Sequence, residues 1–256
     1  MSVLHLDALV MAALLVGLRV GGLMLSAPFL SSPGIPIPQK AGLTLALTAL
    51  LYPVSGRLAL APDQIGWAEM AIAETALGLL LGLAAQFVVE AAQVAGQLLG
   101  FQAGYSLVTL LDPQTQADTP VMSTFFELLA LLLFLQLGVD HWLLRALAAS
   151  FAYLPAGAAL ARLQAGASLL ETAGGIWLLG MQLAAPVVAA TLVVDVGLGF
   201  LAKASPQMPI LFIGLSIKTL LSLLVLGGAL LLWPRIFETR FAAAVGLGER
   251  LWHGVR

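Results

Sequence analysis

The sequence predicts an all-α integral membrane protein built from helical hairpins. Three observations predict it. Of the 256 residues, 61% are hydrophobic and 9% charged, against about 45–50% and about 25% in soluble domains. Six apolar stretches, 8–30, 41–61, 65–101, 121–139, 175–202 and 207–233, reach the roughly 20 residues that span a hydrocarbon core of about 30 Å. No segment alternates in the period-two manner of a strand.

The same composition excludes several function classes. The mean hydropathy is +1.03, and so few charges cannot clothe a water-facing surface of this size. Eleven Lys and Arg are scattered and outnumbered by 13 Asp and Glu, which argues against nucleic-acid binding. The absence of cysteine excludes disulfides and thiolate metal sites.

Taken in order, the stretch 8–30 reads as a retained membrane segment. Met1–Asp7 has no Lys or Arg, unlike the opening of a cleavable signal peptide. Ser31-Ser32-Pro33-Gly34-Ile35-Pro36-Ile37-Pro38 carries three prolines in six positions and is expected to be extended throughout. The stretch 65–101 has 37 residues without proline. As one helix it would be about 55 Å long, longer than the bilayer core. Leu111-Asp112-Pro113 opens a polar loop that runs to Pro120. A borderline seventh stretch, 142–160, contains Arg145 and stops at Leu154-Pro155-Ala156-Gly157. Ala204-Ser205-Pro206-Gln207-Met208-Pro209 reads as a hairpin tip, and the residues beyond 233 as a C-terminal tail. With six spans, seven arginines fall on one side and Lys40 and Lys203 on the other, which puts both termini in the cytoplasm.

Polar residues inside apolar stretches are the candidate functional groups, because they are costly against lipid. Gln86, Glu90, Gln93 and Gln97 are spaced 4, 3 and 4 and fall within about 60° of arc on a helix. Gly82, Gly100 and Gly104 lie on or beside that stripe. Three readings stay open: a helix–helix seam, the lining of an aqueous conduit, or the wall of a substrate site. The GxxxG spacings Gly78/Gly82 and Gly96/Gly100/Gly104 favour close helix packing.

Asp195 and Lys218 sit at equal distances from the hairpin tip. In an antiparallel hairpin they share a depth, and pairing offsets an insertion cost of roughly 2.5–3.5 kcal/mol for each lone charge. A structural ion pair is expected; an ion-coupling site or separate contacts with other chains are the alternatives. Glu90 and Glu127 bracket the central loop in the same way. Facing one another they would share a proton and begin a relay, whereas Arg19 would neutralise whichever it met. His5, His141 and His253 are far apart, and neither G-x-S-x-G nor a P-loop occurs. No enzyme, metal or cofactor is expected. Asp140-His141, at a helix junction, reads as a capping or interfacial pair.

At the loops the sequence becomes specific. Arg19, Ser26-Ala27-Pro28-Phe29 and Ile35-Pro36-Ile37-Pro38-Gln39-Lys40 resemble the opening of the FliR family of type III export-gate proteins. Gly78-Leu79-Leu80-Leu81-Gly82 and Gly96-Gln97-Leu98-Leu99-Gly100-Phe101-Gln102-Ala103-Gly104 follow in order. Asp112-Pro113 to Pro120-Val121, Phe134-Leu135, His141-Trp142, Leu154-Pro155, Leu183-Ala184-Ala185-Pro186 and Ala204-Ser205-Pro206-Gln207 complete the match.

The resemblance implies a single-copy subunit assembled with several FliP and FliQ chains, alongside FlhB and FlhA. It implies a gate in the bacterial inner membrane at the flagellar basal body, partly above the bilayer on the periplasmic side. Residues 1–170 would be FliP-like and 171–256 a FliQ-like hairpin with a tail. The family's hairpin tips face the cytoplasm, against the six-span count. The family's central loop plugs the closed pore. Carried over, the plug holds Tyr105, Leu107, Leu110, Leu111, Asp112 and Pro113, and it would pass unfolded flagellar substrates when open. Two other readings remain: the equivalent virulence-injectisome subunit, and a proton-coupled small-solute transporter using Glu90, Glu127, Asp195 and Lys218. Such transporters carry internal repeats, and the sequence has none.

Overall fold

Apolar runs this long leave the backbone one way to satisfy its polar groups inside lipid, the α-helix. A computed structural model describes residues 2–55, 66–104, 121–158, 166–205, 207 and 210–253. Its elements are α1 (Ser2–Ser26), α2 (Ile37–Ser55), α3 (Trp67–Gln102), α4 (Val121–Gln136), α5 (Val139–Tyr153), α6 (Gly166–Ala204), α7 (Ile210–Ala229) and α8 (Trp233–His253). There is no strand among the described residues.

Three helical segments, Leu9–Ser26, Trp67–Gln102 and Gly175–Ala204, are long and apolar enough to cross a membrane. The pairs α4–α5 and α7–α8 each bend by 62° at a short break. Counting each bent pair as one span gives up to five among the described residues, which leave out 56–61 of the expected stretch 41–61. The first bend falls at Gly138, in the left-handed region at φ 66°, where a side chain would be strained.

Three boundaries differ from the sequence expectation. The proline-rich linker was expected to stay extended through Pro38, but α2 begins at Ile37. Proline is tolerated in the first helical turn, where its missing N–H has no helical partner to lose. The 39-residue α6 begins at Gly166 and accommodates Pro186. The C-terminal tail is a helix, α8.

The chain divides into two compact units. One comprises Met1–Phe87, Phe134–Ala173 and Arg240–Arg256. Its core holds Leu15, Val20, Leu23, Leu77, Leu81, Leu143 and Leu147, with Phe134 meeting Phe241 edge-on at 5.6 Å. Glycines bring α1 and α3 backbone to backbone. A Cβ on Gly78 would strike the Arg19 carbonyl, one on Gly22 the Thr75 carbonyl, and one on Gly82 the Ser26 hydroxyl. Ser26 Oγ bonds to the carbonyls of Gly22 and Leu79, each at 3.0 Å. Thr44 and Thr48 of α2 lie over Gly21 and Gly17 of α1.

The other unit comprises Val88–Leu133 and Gly174–Thr239. Phe126 meets Trp233 edge-on at 4.8 Å, and Trp233 lies tilted by 39° against Phe237 at 5.6 Å. Gly96 of α3 abuts the Met122–Ser123 backbone of α4, and Gly180 of α6 abuts Val94 and the Ala91 carbonyl. The outer faces of α6 and α7 are apolar and exposed, with Val193, Val196, Phe200, Leu220 and Leu224 among them.

Candidate functional site

The polar stripe lies on α3, which is one unbroken helix of 36 residues. That helix buries Leu81, Ala84, Ala85, Val88, Ala92, Ala95 and Leu99. At 100° per residue those positions centre on the side opposite the stripe. Gln86, Glu90 and Gln93 are half-buried and Gln97 is exposed. The main intrachain seam of α3 therefore runs along alanines and leucines, and the amide face turns from it. The glycines at the margin of the stripe do pack within the chain. Gly100 is buried and its hydrogen faces the Met122 side chain. Ser123 Oγ bonds to the Gln93 carbonyl at 3.2 Å.

The last turn of α3 meets the α6–α7 hairpin. Lys218 Nζ pairs with Asp195 Oδ1. Gln102 Nε2 reaches Asp195 Oδ2 at 3.4 Å. Thr219 Oγ1 donates to the Ala103 carbonyl at 3.0 Å. Gly104 has φ +84°, and a Cβ there would collide with the Leu215 side chain. Asp195 is thus shared between an ammonium and an amide, and the two residues that follow α3, Ala103 and Gly104, are held by α7. Gln102, Ala103 and Thr219 were not singled out in the sequence. Their signal is weak, because one amide at a helix end predicts no partner.

Glu90 and Glu127 are both half-buried. Tyr105, Leu107, Leu110, Leu111, Asp112 and Pro113 lie outside the described residues. So does the side chain of His5, while His141 Nδ1 lies 3.1 Å from the Asp140 carboxylate at the exposed start of α5. No cluster of three metal-ligating side chains occurs among the described residues.

Arg19 does not meet Glu90 or Glu127 in the arrangement the sequence suggested. Its partner is Glu74, from α3, and both side chains are 0% exposed. Arg19 Nε donates to Glu74 Oε2 at 2.6 Å, Nη1 to Ser150 Oγ at 2.9 Å and Nη2 to the Leu154 carbonyl at 3.0 Å. The guanidinium also lies 4.2 Å from the Phe151 ring centroid. Glu74 Oε1 accepts the Gly157 N–H at 2.8 Å. The planar fork of arginine suits this many-partnered burial. The turn after α5 thereby becomes part of the α1–α3 seam.

Fold and polar groups together define a helical membrane protein in which Arg19 pairs with Glu74 and Lys218 with Asp195, and in which the 36-residue α3 turns an amide face from its own buried seam. The chain belongs to the family of bacterial export proteins, family 1, whose pattern it matches over residues 10–244. It is 32% identical to the flagellar biosynthetic protein FliR of Escherichia coli (strain K12) over 197 residues, covering 77% of this chain and 76% of that protein. Against the FliR of Pectobacterium carotovorum it is 30% identical over 229 residues, 90% and 88% of the two chains. Against that of Bacillus subtilis (strain 168) it is 28% identical over 218 residues, 84% of each.

Proposed function

We propose that the chain is a subunit of the flagellar protein export apparatus, where it helps wall and close the passage through which flagellar proteins leave the cytoplasm. The observation that carries this reading is the near-full-length likeness to proteins named flagellar biosynthetic protein FliR. The amide face of α3 supports the passage. Gln86, Glu90, Gln93 and Gln97 turn from the chain's own buried seam, and such groups settle against neighbouring protein or water rather than acyl chains. The exposed apolar faces of α6 and α7 suit coverage by lipid or sister chains.

On this reading the chain supplies no chemistry of its own, and its partners are FliP and FliQ, with FlhB and FlhA beside them, in the inner membrane. Residues 1–170 take the FliP-like part and 171–256 the FliQ-like part. Leu107, Leu110 and Leu111, which lie outside the described residues, take the role of the family's plug and keep ions out of the closed passage, since apolar side chains gate by excluding water. The test is deletion of the gene and complementation. Loss of secreted flagellar proteins and of motility, restored by the full chain, supports the proposal. Normal flagella in the deletion strain would remove it. A tagged copy isolated in mild detergent and weighed by native mass spectrometry should carry two other membrane proteins in unequal number.

A further inference from the structure

We infer that the cleft between α5 and α8 is a binding site for the headgroup of an anionic phospholipid. The cleft has a volume of about 320 Å³ and is lined by Trp142 and Arg145 of α5 and by Ala242, Val245 and Gly246 of α8. All five belong to one compact unit.

The site arises from helical register. Helix α5 buries Val139, Leu143, Ala146, Leu147, Ser150 and Phe151, which leaves Trp142 and Arg145, three residues apart, on a common flank. On α8, Ala242 and Gly246 stand four apart, and a Cβ built on Gly246 meets nothing within 4 Å. Small residues on one helix and long ones on the other open the space between them.

Its chemistry is one-sided. The guanidinium and the indole N–H are donors without acceptor capacity. The side chains of Trp142 and Arg145 make no hydrogen bond or ion pair with the described residues, whereas Arg19, in this unit's core, has four polar or aromatic partners. The remaining lining is aliphatic. A complementary occupant is an acceptor-rich anion with an apolar extension. In a chain made of membrane helices the abundant molecule of that kind is an anionic phospholipid, and basic pockets between membrane helices bind such headgroups. Tryptophan and arginine also favour the depth at which headgroups lie. The volume equals about ten waters of bulk liquid. That holds a phosphoglycerol group and the first methylenes, with the rest of the acyl chain outside. In this arrangement the phosphate sits on Arg145, the indole N–H donates to a phosphate or glycerol oxygen, and the acyl carbons lie along Ala242, Val245 and Gly246.

The test uses the export apparatus isolated from membranes through a tag on this chain. The complex is exchanged into detergent containing equal palmitoyl-oleoyl phosphatidylglycerol and palmitoyl-oleoyl phosphatidylcholine, washed, and the lipid retained per chain is counted by mass spectrometry. Arg145→Ala and Gly246→Leu, the second of which fills the cleft, should each cut retained phosphatidylglycerol about five- to tenfold, as expected for loss of a charge-assisted contact. Trp142→Phe, which keeps the ring and removes the donor, should cut it about two- to threefold. Phosphatidylcholine should not change. Equal phosphatidylglycerol in all four complexes overturns the site, as does a fall shared equally by both lipids. If Arg145→Ala leaves lipid intact but costs the complex a neighbouring subunit, the cleft holds protein and the inference is wrong. Displacement of the lipid by millimolar inorganic phosphate would likewise show a site for the free anion.

Discussion

Arg19 and Glu74, 55 residues apart in the chain, form a 2.6 Å ion pair from which solvent is wholly excluded. The pair is also bonded to the Ser150 hydroxyl, the Leu154 carbonyl and the Gly157 N–H. A buried pair of this kind adds little net stability compared with apolar residues of the same size. Its weight lies in what happens when one member is lost.

Arg19→Ala or Glu74→Ala should therefore destabilise the chain by about 3–5 kcal/mol, because each leaves an uncompensated buried charge. The double variant Arg19→Met/Glu74→Met should be less harmful than either single change. Accumulation of tagged chain in membranes, followed by thermal unfolding in detergent, checks the order. A double variant worse than both singles would show that the pair's contacts with Ser150, Leu154 and Gly157 outweigh its charge balance.

Gly78→Ala should lower stability, since the added methyl meets the Arg19 carbonyl, which cannot rotate away. Gly197→Ala on α6 has open space and should be neutral or stabilising by up to about 1 kcal/mol. The same unfolding measurement on both separates a packing requirement from a general effect of glycine.

Reversing Asp195 or Lys218 singly should weaken the hairpin by about 1 kcal/mol, a figure suited to a part-exposed pair. Exchanging both, Asp195→Lys with Lys218→Asp, should recover most of the loss if their mutual contact is what matters. Persisting damage in the exchanged variant would instead point to the Gln102 contact, which the swap destroys.

Gln97→Leu should leave the chain's abundance unchanged, because the side chain is exposed and outside the α3 seam. Secretion of flagellar proteins should fall if the amide face borders a watery passage, where a leucine is poorly solvated. Quantifying secreted protein against membrane-bound chain gives the answer. Full secretion would exclude Gln97 from the passage.

Replacing Leu107, Leu110 and Leu111 together by glycine should raise ion leakage across the membrane and slow growth if these leucines seal the closed passage as proposed, because glycine excludes water less well than leucine. Conductance of the reconstituted complex is the measurement. Unchanged conductance would remove these residues from the seal.

The elements were legible in proportion to how local their signals are. Helix α3 follows from 36 residues free of proline, and the stop at Leu154-Pro155 from chemistry two residues wide. Asp195 and Lys218 could be brought together on paper because a hairpin maps sequence symmetry onto depth. Arg19 and Glu74 obey no such symmetry. They meet because Gly22 and Gly78 let two backbones touch, which only packing reveals. Helix α8 escaped notice for a different reason. Its apolar residues Trp233, Phe237, Phe241 and Val245 recur every four positions, so it is amphipathic rather than uniformly apolar, and a search for membrane-length runs passes over it. The prolines at 36 and 38 misled because a first helical turn and an extended linker tolerate them equally.

An uninterrupted α3 has a mechanical implication. A helix without proline or a break has no ready hinge to absorb torque. Between Val88 and Gln102, inside one compact unit, Gln93 and Gln97 therefore keep their angle to the buried alanines when Gln102 is pulled. A load taken up at that end swings the amide face whole instead of creasing it.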